Sequence, residues 1–74
     1  MDRPTFDYSK LNGRIREVFG TQKKFAESMR ISSATISKKL TGKTYFDQQE
    51  VFQATELLGI RPGDITVYFF TQRL

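Results

Sequence analysis

The 74-residue chain carries twelve Lys and Arg against eight Asp and Glu, a formal net charge of +4, with no His, no Cys and no Trp. A chain this short fits one domain, read here as 1–74, and buries only about 60–65% of its unfolded surface. Without His or Cys, a disulfide, a zinc site and a Ser–His or Cys–His nucleophile pair are all excluded. No metal, cofactor or small-molecule substrate is therefore expected, and no pair of carboxylates is spaced for acid–base work, so the sequence does not read as an enzyme.

The longest apolar stretch near the C-terminus, Ile65 to Phe70, is broken by Thr66 and falls far short of the roughly 20 residues of a membrane helix. Met1-Asp2-Arg3-Pro4 lacks the apolar core of a signal peptide. A soluble intracellular domain is expected.

Residues 1–7, with Pro4, are expected to be flexible. Asp7 and Ser9 are capping types ahead of Leu11, Ile15, Val18 and Phe19, which share one helical face ending at Gly20. This predicts a first helix over 9–19, with Gly13 inside it costing about 1 kcal/mol relative to Ala. Thr21 caps a second helix over 22–29 with Phe25, Ala26 and Met29 on its apolar face. Ser32 caps a third over about 33–40, with Ile36 and Leu40 four apart and Gly42 as its stop. Asp47 with Glu50 forms a capping box for a fourth helix bearing Val51, Ala54, Thr55 and Leu58 on one side, stopped at Gly59. The end of the chain, Arg61 to Phe70, mixes β-branched and aromatic residues with a possible cap at Asp64. A short fifth helix followed by an extended aromatic tail is the favoured reading, with a strand as the alternative.

The charge is concentrated. Residues 1–20 sum to +1 and residues 45–74 to −2, whereas residues 21–44 sum to +5 through Lys23, Lys24, Arg30, Lys38, Lys39 and Lys43 against Glu27. That block covers the second and third helices, whose tight connection has the geometry of a helix-turn-helix. A basic face of this kind attracts a polyanion, or is simply solvated. Lys38, Lys39 and Lys43 are placed for phosphate contact. The small polar face of Ser33, Ala34, Ser37 and Lys38 can enter a groove without clashing.

The pattern Thr21-Gln22, Phe25-Ala26, Ile31-Ser32, Ile36-Ser37 and Gly42-Lys43 resembles the lambda-repressor and Cro-like helix-turn-helix family, with agreement over roughly residues 9–60. The ending Tyr68-Phe69-Phe70 is similar to small Cro-like regulators, of the modulator-of-repression type, in temperate phage lysogeny switches of Gram-positive hosts. The resemblance implies an all-α bundle of about five short helices with the helix-turn-helix at about 21–41, working in the cytoplasm of a bacterial host. It implies that Gln22 contacts phosphate, that Ser33, Ala34, Ser37 and Lys38 face base edges, and that Thr35 and Lys43 approach the backbone of double-stranded operator DNA. A weak homodimer with half-sites about one helical turn apart follows from the same resemblance. With three to five phosphates neutralised, log K against log salt should slope at about −3 to −4.5.

Two departures bear on this reading. Arg30 stands where the family prefers Gly at a positive φ, at a cost of about 1 kcal/mol unless the turn adopts another geometry; the alternative is that Arg30 serves as a phosphate contact. The recognition helix also lacks Arg, Asn or Gln at Ser33, Ala34 and Ser37, the side chains whose bidentate base contacts discriminate by about 1–3 kcal/mol each. Weak intrinsic specificity is expected. A second reading therefore stays open, in which the domain binds a partner phage repressor as an anti-repressor or co-repressor. Phe52 falls off the apolar face of the fourth helix, and with Phe46, Tyr68, Phe69 and Phe70 it would leave an apolar surface patch for such a partner. Alternatively Phe69 and Phe70 fold back and complete the core.

Overall fold

The computed structural model describes residues 5–73, and its elements follow the predicted order. Helix α1 spans Ser9–Phe19, α2 Gln22–Met29, α3 Ser33–Leu40, α4 Gln48–Leu58 and α5 Ile65–Phe69. A 3-10 turn over Pro62–Asp64 leads into α5, and the fold is an all-α bundle.

Short helices like these need their ends satisfied by side chains, because isolated helices of this length are marginal in water. The Thr21 hydroxyl accepts from the Lys24 amide at 3.1 Å, and Ser32 accepts from Thr35 at 3.1 Å. Asp47 and Glu50 complete a reciprocal capping box, with bonds of 2.8 and 2.9 Å. At α1, the Asp7 carboxylate accepts from both the amide and the hydroxyl of Ser9. These bonds hold its carboxyl below the usual carboxylate range.

The stops are equally local. α2 and α4 end in the same closure, in which the residue after the helix turns left-handed and two amides bond back to the last carbonyls. After α4 that residue is Gly59, at φ 65°, with Gly59 and Ile60 bonding to Glu56 and Thr55. After α2 it is Arg30, at φ 61°, with Arg30 and Ile31 bonding to Glu27 and Ala26. The departure at Arg30 therefore leaves the turn geometry intact and places a non-glycine residue in the left-handed region.

Packing follows the predicted apolar faces with one exception. Leu11 and Ile15 of α1, Phe25, Ala26 and Met29 of α2, Ile36 and Leu40 of α3, and Ala54 and Leu58 of α4 meet in one core with Tyr8, Ile60 and Phe69. Val18, expected on the α1 apolar face, stays 42% exposed. The last turn of α1 directs Phe19 instead onto Phe25, their rings 5.5 Å apart. Arg14 crosses from α1 to α4 and donates from Nε to the Leu58 carbonyl at 2.8 Å, satisfying an otherwise open helix end.

The extended tail pairs with the start of the chain. Phe6 lies opposite Gln72 in an antiparallel bridge, the Asp7 amide donates to Thr71, and the Arg73 amide donates to Thr5. Of the stretch expected to be flexible, residues 1–4 lie outside the described residues, whereas residues 5–7 are tied down by this pairing.

The left-handed residues give a direct check. Arg30→Gly should raise stability by about 0.5 kcal/mol, the relief of αL strain being partly offset by the freer unfolded chain. Gly59→Ala should lower it by about 1 kcal/mol, since a side chain at φ 65° carries the left-handed strain. Urea denaturation of both variants measures the two shifts, which should have opposite signs.

Candidate functional site

Two surfaces emerge, one on α3 and one on α4 and α5. On α3, Ser33, Ala34, Ser37 and Lys38 are all exposed along one side, opposite buried Ile36 and Leu40. Thr35 is half-buried, its hydroxyl accepting from that of Ser32 at 2.8 Å. Lys43 is exposed just beyond the helix, and its amide donates to the Lys38 carbonyl at 2.9 Å, so the two lysines are held close in the chain. Lys23, Lys24 and Arg30 add exposed positive charge on and after α2. Gln22 is half-buried and its amide donates to Asn12 of α1 at 3.0 Å. This bond anchors the start of α2 to α1, a role for Asn12 that residue type and spacing do not reveal.

Lys39 departs from its predicted role as a phosphate contact. It is only 8% exposed. Position 39 lies three residues beyond Ile36 and beside Leu40, so the helix carries it onto the core side. A lysine there needs partners for its charge. It finds them in Glu50 Oε1 at 2.9 Å and the Tyr45 carbonyl at 2.9 Å, with its ammonium also 5.8 Å from the centre of the Phe46 ring. Glu50, read from sequence as a cap, thus serves both the α4 N-terminus and the α3 lysine.

The second surface is built from aromatics. Phe52 is 64% exposed and Phe70 49%. Between them lies a hollow of about 410 Å³ lined by Phe46, Gln48, Val51, Phe52, Ile65 and Phe70. On the other side of Phe52 a second hollow, of about 520 Å³, runs over Thr55, Glu56, Gly59, Ile60, Pro62 and Ile65. Phe52 therefore stands as a ridge between two apolar depressions.

The remaining predicted partner residues divide. Phe69 is not available to a partner: it is 2% exposed and packs edge-on against Phe46 at 5.5 Å. Phe46 is half-buried and forms a wall of the hollow. Tyr68 is half-buried with Lys10 Nζ 5.9 Å from its ring centre. Phe6, Tyr8 and Tyr45 extend the aromatic cluster, with Phe6 edge-on to Phe70 at 5.8 Å and Tyr8 edge-on to Phe46 at 5.7 Å. Burial pushes the Tyr8 phenol above its ordinary range, and the neighbouring Tyr45 adds to it.

In charge the two surfaces differ: α2 and α3 carry exposed Lys23, Lys24 and Lys38, whereas the charged residue lining the hollows beside Phe52 is the exposed Glu56. Among the described residues no helix is long and apolar enough to cross a membrane.

The helical arrangement and the sequence that carries it have counterparts among known proteins. The chain belongs to the family described as "Protein of unknown function (DUF739)", whose pattern matches residues 4–72. It is similar to the modulator of repression (MOR) of the temperate bacteriophage TP901-1 from Lactococcus lactis, whose solution structure aligns with a TM-score of 0.79. The two are 42% identical, and the alignment covers 89% of each chain. A comparison with curated proteins gives no significant match.

The contrast between adjacent lysines is testable by stability alone. Lys38→Ala, at an exposed position, should leave the unfolding free energy within about 0.5 kcal/mol. Lys39→Ala strands Glu50 and should cost about 2 kcal/mol, below the 3–5 typical of a fully buried pair because the two side chains keep 11% and 18% exposure. Thermal melts of the two variants measure the difference.

Proposed function

We propose that this protein regulates a phage genetic switch by binding a partner repressor protein and altering that repressor's hold on operator DNA. The observation that carries the reading is the aromatic ridge: Phe52, 64% exposed, flanked by hollows and joined by Phe70 at 49%. Exposed aromatics beside apolar depressions are what protein interfaces use as anchors. The similarity over 89% of both chains to a phage protein described as a modulator of repression supports the same reading. Such a protein would work in the bacterial cytoplasm.

A second reading, contact with operator DNA through α3, is favoured by the exposed row Ser33, Ala34, Ser37 and Lys38 beside Lys23, Lys24, Arg30 and Lys43. This is the arrangement of a helix-turn-helix. The row contains no Arg, Asn or Gln, so it has little to offer for reading bases. Withdrawal of Lys39 into the core also removes one expected phosphate contact, lowering the salt slope by about 0.9. The α3 surface is therefore suited to weak, sequence-tolerant contact that supplements the partner interface.

The two readings separate in a calorimetric titration of the purified repressor into variants. Phe52→Ser and Phe70→Ser should each weaken repressor binding by about tenfold or more, the cost of losing an anchor worth roughly 1.4 kcal/mol or above. Lys38→Glu should change it by less than about threefold. The reverse pattern, with Lys38→Glu abolishing binding and Phe52→Ser sparing it, would move the interface to α3.

A further inference from the structure

We propose that Lys39 is a positioning residue that ties the α3 surface to the Phe52 surface, so that a ligand on either one is felt at the other. The proposal rests on the partner reading given above and adds to it a regulatory link within the domain. Three observations meet at one ammonium group. Lys39 belongs to the last turn of α3, directly after exposed Ser37 and Lys38. Its Nζ lies 2.9 Å from Glu50 Oε1, two residues ahead of Phe52 on α4. It also lies 5.8 Å from the centre of Phe46, the ring that walls the hollow between Phe52 and Phe70.

A side chain entering that hollow would press on Phe46 and on the first turn of α4. The Glu50 oxygen that holds Lys39 also accepts from the Asp47 amide at 2.9 Å, so the first turn of α4 and the ammonium share one atom. With Lys39 8% exposed, water cannot readily replace a lost partner, and the neutral Tyr45 carbonyl at 2.9 Å does not compensate the charge, so the ammonium is drawn after the carboxylate. α3 bonds to α4 through this pair, and α3 moves with it. By linkage the effect is reciprocal: a polyanion that shifts α3 must alter the Phe52 surface by the same free energy.

The test uses nitrogen-15-labelled full-length protein, titrated in separate arms with the purified phage repressor and with a random-sequence DNA duplex at low salt. Wild type is compared with the double variant Lys39→Met, Glu50→Gln. That variant removes both charges together, so neither is stranded, and Glu50→Gln keeps a side-chain oxygen for the Asp47 amide. Its thermal melt checks that it folds, and Glu50→Gln alone serves as a milder second variant in which the Lys39 bond is weakened.

In wild type, the repressor should shift amides at residues 51–53 and also at 33–38, and the duplex should shift both sets too. In the double variant each ligand should still shift its own surface, while the distant set falls to the level of uninvolved residues in α1. Two results would overturn the link: residues 33–38 keeping their full repressor-induced shifts in the double variant, or duplex shifts confined to α3 in wild type. Absence of any repressor-induced shift at 51–53 in wild type would instead overturn the Phe52 interface, and the duplex arm then decides the link by itself. Silence at both surfaces with both ligands overturns both.

Discussion

Successive residues of an α-helix point about 100° apart, and this constraint shapes the protein more than any single contact. Its helices run from five to eleven residues, so each has few turns in which to bury a face. At three places one of two neighbouring residues packs inward while the other is displayed. Lys39 is buried and Lys38 exposed; Phe69 is 2% exposed and Phe70 49%. Phe19 packs on Phe25 while Val18 remains at 42%. The buried member of each pair organises the fold, and the displayed member forms the surface.

The surfaces are consequently built on well-fixed supports. Phe70 projects from the end of a helix anchored by Phe69, and Lys38 from a helix anchored by Ile36, Lys39 and Leu40. Phe52 lies on α4, whose start is held by the Asp47–Glu50 box and whose end is held by the left-handed Gly59 and the Arg14 bond to Leu58. A domain this small has a modest core, and the local closures at helix ends supply order that a larger core would otherwise provide. Pre-set side chains lose less freedom on binding. This matters for the proposed interface, which would centre on one or two aromatic rings.

Much of the fold was legible from local chemistry. Thr21, Ser32 and the Asp47–Glu50 pair marked helix starts, and Gly20 and Gly59 marked stops, because capping and left-handed turns depend on residues within four positions of each other. Side-chain fate was less legible where it depended on distant partners. Nothing near Lys39 in the sequence announces Glu50 eleven residues on or the Tyr45 carbonyl, so its charge read as surface. The Gln22–Asn12 bond spans two helices and leaves no periodic trace. Phe52 was legible as an outlier from the α4 face. The hollows beside it were not, since Phe46 and Phe70 wall one, Ile60 and Pro62 the other, and Ile65 both, all arriving from outside α4.

The central claim is that the protein acts on a repressor through its aromatic ridge rather than by occupying DNA alone. It is tested most directly by footprinting the operator region with the repressor held at half-saturation while this protein is added. The repressor footprint should change at protein concentrations that, without repressor, leave the same DNA unprotected. A footprint produced by the protein alone, at the same concentration and position whether or not repressor is present, would contradict the claim and mark an autonomous operator-binding protein.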